Sequence, residues 1–274
     1  MHLKIIPRVC LLATFIFVLF ASSFGAIVDT VSITSNVMNI SKKCVVIKPY
    51  SYQNSNNHFP VVYLLHGYSG DYANWIKKVP ELKNYADEFQ LIIVCPDGNF
   101  NSWYVDSKTE PASLYDTYIS KEVVHFIDSA YNTIRQKEFR AITGLSMGGH
   151  GALYLALRHS DIFSAAGSMS GVLNLEPWKN KYELLKFLSP TEITDNSVVT
   201  LFKNIMEGSL SLIIDCGVDD PFIETAREAH RILLDKKIGH DYIERDGTHN
   251  WMYWSNAVSY QLMFFNKMFK KSKK

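Results

Sequence analysis

Residues 139–153 hold the pattern Gly144-Leu145-Ser146-Met147-Gly148, a Gly-x-Ser-x-Gly, between a short apolar run and a helix-forming run. A serine on so sharp a strand-to-helix turn is forced into strained backbone angles, and the flanking glycines remove side chains that would collide there. The strain lifts the hydroxyl clear of the sheet. The N-terminus of the following helix then favours negative charge developing beside it. Such a placement suits nucleophilic attack by the serine oxygen. The bland alternative is a glycine-rich structural turn with a passive serine, which would need no partners elsewhere in the chain.

Partners are present. A serine hydroxyl is a poor nucleophile until a base takes its proton, and the base needs an orienting acid. For a serine on this kind of turn the acid follows in sequence and the histidine comes last. Downstream lie His150, His159, His230, His240 and His249. The first two sit on or just past the helix that Ser146 opens, too close to fold back onto it. His230 falls within a helical run, and His240 precedes the last strand, at the wrong end of the sheet. His249 follows that strand in Asp246-Gly-Thr-His249-Asn-Trp251, at the carboxyl end where open α/β sheets collect their reactive groups. His249 is therefore the expected base. For the acid, the loop Gly217-Val218-Asp219-Asp220-Pro221-Phe222 follows a strand and precedes a helix. Either aspartate could instead cap that helix, and spacing leaves Asp219 and Asp220 nearly even.

The elements that must position these groups are legible as alternation. Short apolar, β-branched runs fall at 31–33, 44–47, 61–65, 91–95, 141–143, 165–169, 212–215 and 242–244. The middle ones are continuously apolar, as in strands covered on both faces. Helical patterns occupy 81–89, 114–134, 147–158, 222–236 and 251–269. Strand–helix alternation predicts one α/β domain over 27–274 with a mostly parallel sheet of about eight strands flanked by helices. The first two runs have no helix between them and are expected to form an antiparallel edge. Residues 172–210 make the longest stretch between successive strands and are expected to form a small cap-like insertion.

Composition sets the outer bounds. The 274 residues are 47% hydrophobic and 20% charged, with a formal net charge of +1. That excludes low-complexity disorder, and it offers no basic excess for a nucleic-acid partner. Lys4 and Arg8 precede an uncharged run over 9–20 and a small-residue exit near Gly25 and Ala26. The pattern predicts a secretory signal peptide over 1–26, too short in its apolar part to anchor a membrane stably. Cys10 would leave with it, so the remaining Cys44, Cys95 and Cys216 form no disulfide framework, and Cys95 and Cys216 read as small buried hydrophobes. No zinc spacing, EF-hand or P-loop occurs in the sequence, so neither metal nor cofactor is expected.

Five motifs in order give the chain a family likeness. They are Tyr63-Leu-Leu-His66-Gly67-Tyr68-Ser-Gly-Asp-Tyr-Ala-Asn74-Trp75, Cys95-Pro-Asp97-Gly98, Gly144-Leu-Ser-Met-Gly-Gly-His-Gly-Ala-Leu153, Asp215-Cys-Gly-Val-Asp-Asp220-Pro-Phe222 and Gly247-Thr-His249-Asn-Trp251. The chain resembles the esterase-D-type branch of the α/β-hydrolases over about residues 61–265. That branch includes S-formylglutathione hydrolases, tributyrin esterases, feruloyl and acetylxylan esterases and the antigen 85 mycolyltransferases. The resemblance implies Asp220 as the acid, two residues before the phenylalanine of a Cys-Gly-x-x-Asp-x-Phe pattern. It also implies an oxyanion hole from the backbone N–H groups of Tyr68 and Met147, two fixed donors where charge develops.

His66 is expected to shape the oxyanion loop, and Trp75, Trp251 and Trp254 to pack around the loops. Trp103 and Tyr104, read as adjacent exposed aromatics at the catalytic end, are candidates to stack on a sugar or hydroxycinnamoyl ring, with Trp178 from the insertion. The implied activity is that of an exported serine carboxylesterase on small-molecule or oligosaccharide esters. Export argues against an intracellular thioester and favours acetyl or feruloyl groups on carbohydrate. Two rivals stand beside it: an acyltransferase of the mycolyltransferase kind, and a non-catalytic carbohydrate-binding module on a hydrolase fold.

Overall fold

A computed structural model describes residues 25–54 and 56–273. The expected signal peptide over 1–26 lies outside the described residues, save Gly25 and Ala26. Among the described residues eight strands, β1 (Ile27–Ser35), β2 (Ile40–Lys48), β3 (Val61–Leu65), β4 (Ile92–Pro96), β5 (Arg140–Gly144), β6 (Ala165–Met169), β7 (Ser211–Gly217) and β8 (His240–Arg245), form one sheet. Their spatial order is β1-β2-β4-β3-β5-β6-β7-β8. The β1/β2 and β2/β4 pairs are antiparallel, and every other pair is parallel.

The central strands are buried on both faces, which is why they carry no polar alternation. Along β3, Val61, Tyr63 and Leu65 join one apolar cluster while Val62 and Leu64 join the other. Helices α1 (Leu82–Phe89) and α5 (Trp251–Ser272) cover one side. Helices α2 (Val124–Ala130), α3 (Met147–Arg158) and α4 (Ile223–Asp235) cover the other. Cys44, Cys95 and Cys216 are buried free thiols, and burial pushes all three up in pKa.

Three expected elements differ. The strands expected over 31–33 and 44–47 run to nine residues each, because β1 exposes every other side chain over most of its length and so mixes polar residues into the strand. The single helix expected over 114–134 is instead a short turn (Tyr115–Thr117), a π-helical segment (Tyr118–Val123) and α2. Within it, the Ser120 hydroxyl donates to the Asp116 carbonyl at 2.7 Å and competes with the regular ladder. The helix stops at Ala130 because the chain turns extended there, and Ile134 donates its N–H to Phe59 O at 2.9 Å.

Residues 172–210 hold short helices at Leu184–Phe187, Pro190–Asn196 and Val198–Phe202. The last packs against α3. Pro190–Asn196 begins with a full capping box between Ser189 and Glu192.

Candidate active site

Ser146 sits between β5 and α3 with φ 54° and ψ −118°, a conformation costing about 1–3 kcal/mol for a residue with a Cβ. The turn is over-determined. Ser146 N–H donates to Met169 O at 2.9 Å, and Leu145 bridges Met169 on the neighbouring strand. Gly148 lets the start of α3 press on the loop after β3, since a Cβ there would lie 2.5 Å from His66 O.

The three residues expected to react together meet. His249 Nδ1 is 2.8 Å from Asp220 Oδ2, and His249 Nε2 is 3.0 Å from Ser146 Oγ. A carboxylate only accepts, so Nδ1 carries the proton and Nε2 is left to accept from the serine hydroxyl. Asp220 is buried, and its other oxygen accepts the Phe222 N–H at 2.9 Å. Asp219 is exposed and makes no helix cap; its N–H donates to Gly247 O at 3.0 Å. The two aspartates, even by spacing, are separated by burial.

Beside Ser146, Tyr68 N–H has no acceptor among the described residues. Met147, as the first residue of α3, has an N–H with no partner inside the helix. His66 holds the loop from within. It is fully buried, its Nε2 accepts the Gly98 N–H at 2.8 Å, and its Nδ1 donates to Gly67 O at 2.8 Å. Burial lowers its pKa, keeping the ring neutral for this arrangement.

These groups open onto a cavity of about 280 Å³ walled by Trp103, Val172, Tyr182, Phe222, Trp251 and Trp254. Trp251 and Trp254, expected as packing aromatics, line it beside His249, whose ring lies 4.8 Å from that of Trp254. The expected surface platform of Trp103, Tyr104 and Trp178 is corrected by burial. Tyr104 is fully buried and donates its hydroxyl to His66 O at 2.9 Å, so it supports the loop from behind. Trp103 is 1% exposed and forms wall rather than platform, its indole N–H donating to Tyr182 O at 3.2 Å. Trp178 does not line the cavity; it packs edge-on against Phe222 at 4.7 Å.

The segment 172–210 contributes directly to the mouth. Tyr182 and Glu183 both have positive φ, and Glu183 accepts hydrogen bonds from Asn101 and, at 3.5 Å, from the Tyr68 hydroxyl. No sequence signal marked Tyr182 or Glu183. Among the described residues there is no group of side chains fit to hold a metal, and no helix is long and apolar enough to cross a membrane.

Comparison with known proteins gives this geometry relatives. A family model described as "Putative esterase" matches residues 35–265. An acetyl esterase of Caldicellulosiruptor saccharolyticus is 25% identical over 78% of this chain and 85% of its own. The diacylglycerol acyltransferase/mycolyltransferase Ag85B of Mycobacterium leprae is 25% identical over 87% of this chain and 84% of its own. Among solved structures, a ferulic acid esterase superposes with a TM-score of 0.80 at 28% identity, covering 90% of this chain and 99% of that one.

Proposed function

The chain belongs to the esterase family that this model describes and is a carboxylic ester hydrolase of the α/β-hydrolase fold; from that premise we propose a serine mechanism built on Ser146, His249 and Asp220. The observation that carries it is the continuous hydrogen-bonded line from Asp220 through His249 to a strained, cavity-facing Ser146.

An ester carbonyl enters the cavity over Ser146. The hydroxyl attacks as His249 Nε2 takes its proton, and Asp220 stabilises the imidazolium that forms. The N–H groups of Tyr68 and Met147 receive the tetrahedral oxyanion, and losing one such donor typically costs about 10²–10³ in turnover. The intermediate collapses as His249 returns the proton to the departing alcohol. Water, activated by the same imidazole, then attacks the acyl-serine and releases the acid. No step calls for a metal or cofactor.

On the substrate side, we propose acetyl or feruloyl esters of carbohydrates. An aromatic-walled cavity of this size suits a short acyl chain or one aryl ring, and the similar acetyl esterase and ferulic acid esterase agree with that choice. Export, proposed from Lys4, Arg8 and the apolar run behind them, would put the enzyme where such polymers are. Purified mature protein assayed on p-nitrophenyl acetate, methyl ferulate and acetylated xylan tests this. Hydrolysis of the simple ester alone would reject the carbohydrate reading and leave the esterase reading intact.

The likeness to a mycolyltransferase favours a second outcome, in which a sugar hydroxyl replaces water at the acyl-serine. Product analysis with a sugar acceptor present separates the two, since only transfer makes an acylated sugar.

A further inference from the structure

Asp215 is a buried carboxylate that the proposed reaction does not use. It stands on β7 inside the run Leu212-Ile213-Ile214-Asp215-Cys216 with no exposed surface. A charge in that position costs far more desolvation than an apolar residue of similar volume, so its presence asks for a reason beyond packing. Burial pushes its carboxyl above the usual range, and only Tyr253 and Arg245 act against that.

Those two partners are the two ends of one loop. The Tyr253 hydroxyl donates to Asp215 Oδ1, and the Arg245 guanidinium donates to Oδ2. Arg245 is the last residue of β8, Tyr253 lies in the first turn of α5, and His249 is carried between them. We infer that Asp215 is a positioning residue that clasps both ends of the His249 loop and so fixes the imidazole against Ser146 and Asp220. The inference rests on the proposed role of His249.

Backbone contacts make the same junction stiff. Val218 and Asp219 donate their N–H groups to Arg245 O and Gly247 O, each at 3.0 Å, so the Asp220 loop lies along the His249 loop. That approach needs a bare Gly217, where a Cβ would sit 2.3 Å from Gly247 O. Met169, whose carbonyl holds the Ser146 N–H, is the register partner of Asp215, which in turn pairs with Ile243 on β8. The serine turn and both partner loops therefore hang from one row across β6, β7 and β8, with Asp215 at its centre. Asp215 makes no bond to His249 itself; it acts through the loop.

Tyr253→Phe is the decisive variant, because it keeps the ring that packs on Gly247 and deletes only the hydroxyl. Asp215→Asn is the companion. Loosening a base by a fraction of an ångström to an ångström costs turnover rather than binding, so kcat should fall about tenfold or more with KM within about twofold. The downfield Nδ1 proton resonance of His249 should broaden in both variants while the melting transition stays cooperative. Wild-type kcat with an unchanged resonance in folded Tyr253→Phe would overturn the clasp, even if Asp215→Asn fails to fold. A lowered melting temperature with unchanged kcat would overturn it too, since Asp215 would then serve stability alone. His249→Ala, assayed alongside, keeps the two readings apart. If it remains active the serine mechanism fails; if it is dead while Tyr253→Phe is fully active, only the clasp fails.

Discussion

Replacing Trp103 with alanine removes an indole that is both core and cavity wall. The ring is 1% exposed, its N–H donates to Tyr182 O at 3.2 Å, and its centroid lies 5.8 Å from that of the His150 ring, the two rings meeting edge to face. Truncating a buried tryptophan to alanine costs roughly 3–5 kcal/mol, the lost contacts and the residual cavity taken together. Backbone strain gives no relief, because φ at Trp103 is 54° and alanine is strained there as well. In a chain of this length 1 kcal/mol moves the melting temperature by about 2–4 °C, so a fall of about 6–20 °C is expected. Kinetically, the wall is shared by every substrate, and the Tyr182 carbonyl loses its anchor at the mouth. The expected result is a lower kcat/KM for p-nitrophenyl acetate and methyl ferulate together. Differential scanning fluorimetry beside steady-state kinetics on both esters measures this. A melting temperature within about 2 °C of wild type, with KM raised only for the aryl ester, would refute the assignment of Trp103 to the wall and restore a surface platform.

Asp220→Asn should keep the fold and lower turnover by about 10⁴, as in the serine-protease precedent, because an amide cannot stabilise the imidazolium and favours the wrong tautomer. Asp219→Asn, at an exposed side chain that caps nothing, should change stability by no more than about 0.5 kcal/mol and leave kcat alone; a dead Asp219→Asn with an active Asp220→Asn reverses the assignment. Full burial depresses the pKa of His150 from 6.5 to about 4, so between those values the unfolded chain takes up a proton that the folded chain refuses. Stability should therefore drop as pH falls through that window, by about 3 kcal/mol from this group. His150→Gln retains a donor toward Asn196 O and should flatten the urea-midpoint profile over the same range; parallel profiles for the two proteins would exclude His150 as the cause.

What was legible in the sequence follows from where burial is uniform. Strands β3 to β7 read directly because both faces are covered, whereas β1 hid most of its length behind exposed alternate side chains. Ser146 and His249 were legible because a turn motif and the chain order of the partners constrain them locally. The choice between Asp219 and Asp220 was not a local matter, since one is buried against His249 and its neighbour points to solvent. Trp103 and Tyr104 looked exposed because Asn101, Ser102, Asp106 and Ser107 surround them in sequence. Those polar residues find long-range or loop partners instead: Ser107 donates to Phe187 O at 2.7 Å, and Asp106 accepts from the Thr117 hydroxyl at 2.6 Å. A polar loop buried beneath the 172–210 segment leaves no periodic trace. Trp251 and Trp254 were readable as helix residues, but their place at the cavity beside His249 is a tertiary contact that helical periodicity does not report.

Trapping the acyl-serine tests the central claim most directly. Wild-type protein and Ser146→Ala are each incubated with a fluorophosphonate and with p-nitrophenyl acetate, then followed by intact-mass and peptide-level mass spectrometry. The serine mechanism predicts one phosphonyl adduct per chain on the Ser146 peptide, none on folded Ser146→Ala, and a loss of esterase turnover of about 10⁶ in that variant. Wild-type hydrolysis by a folded Ser146→Ala protein, or an adduct that maps to another residue, would contradict it.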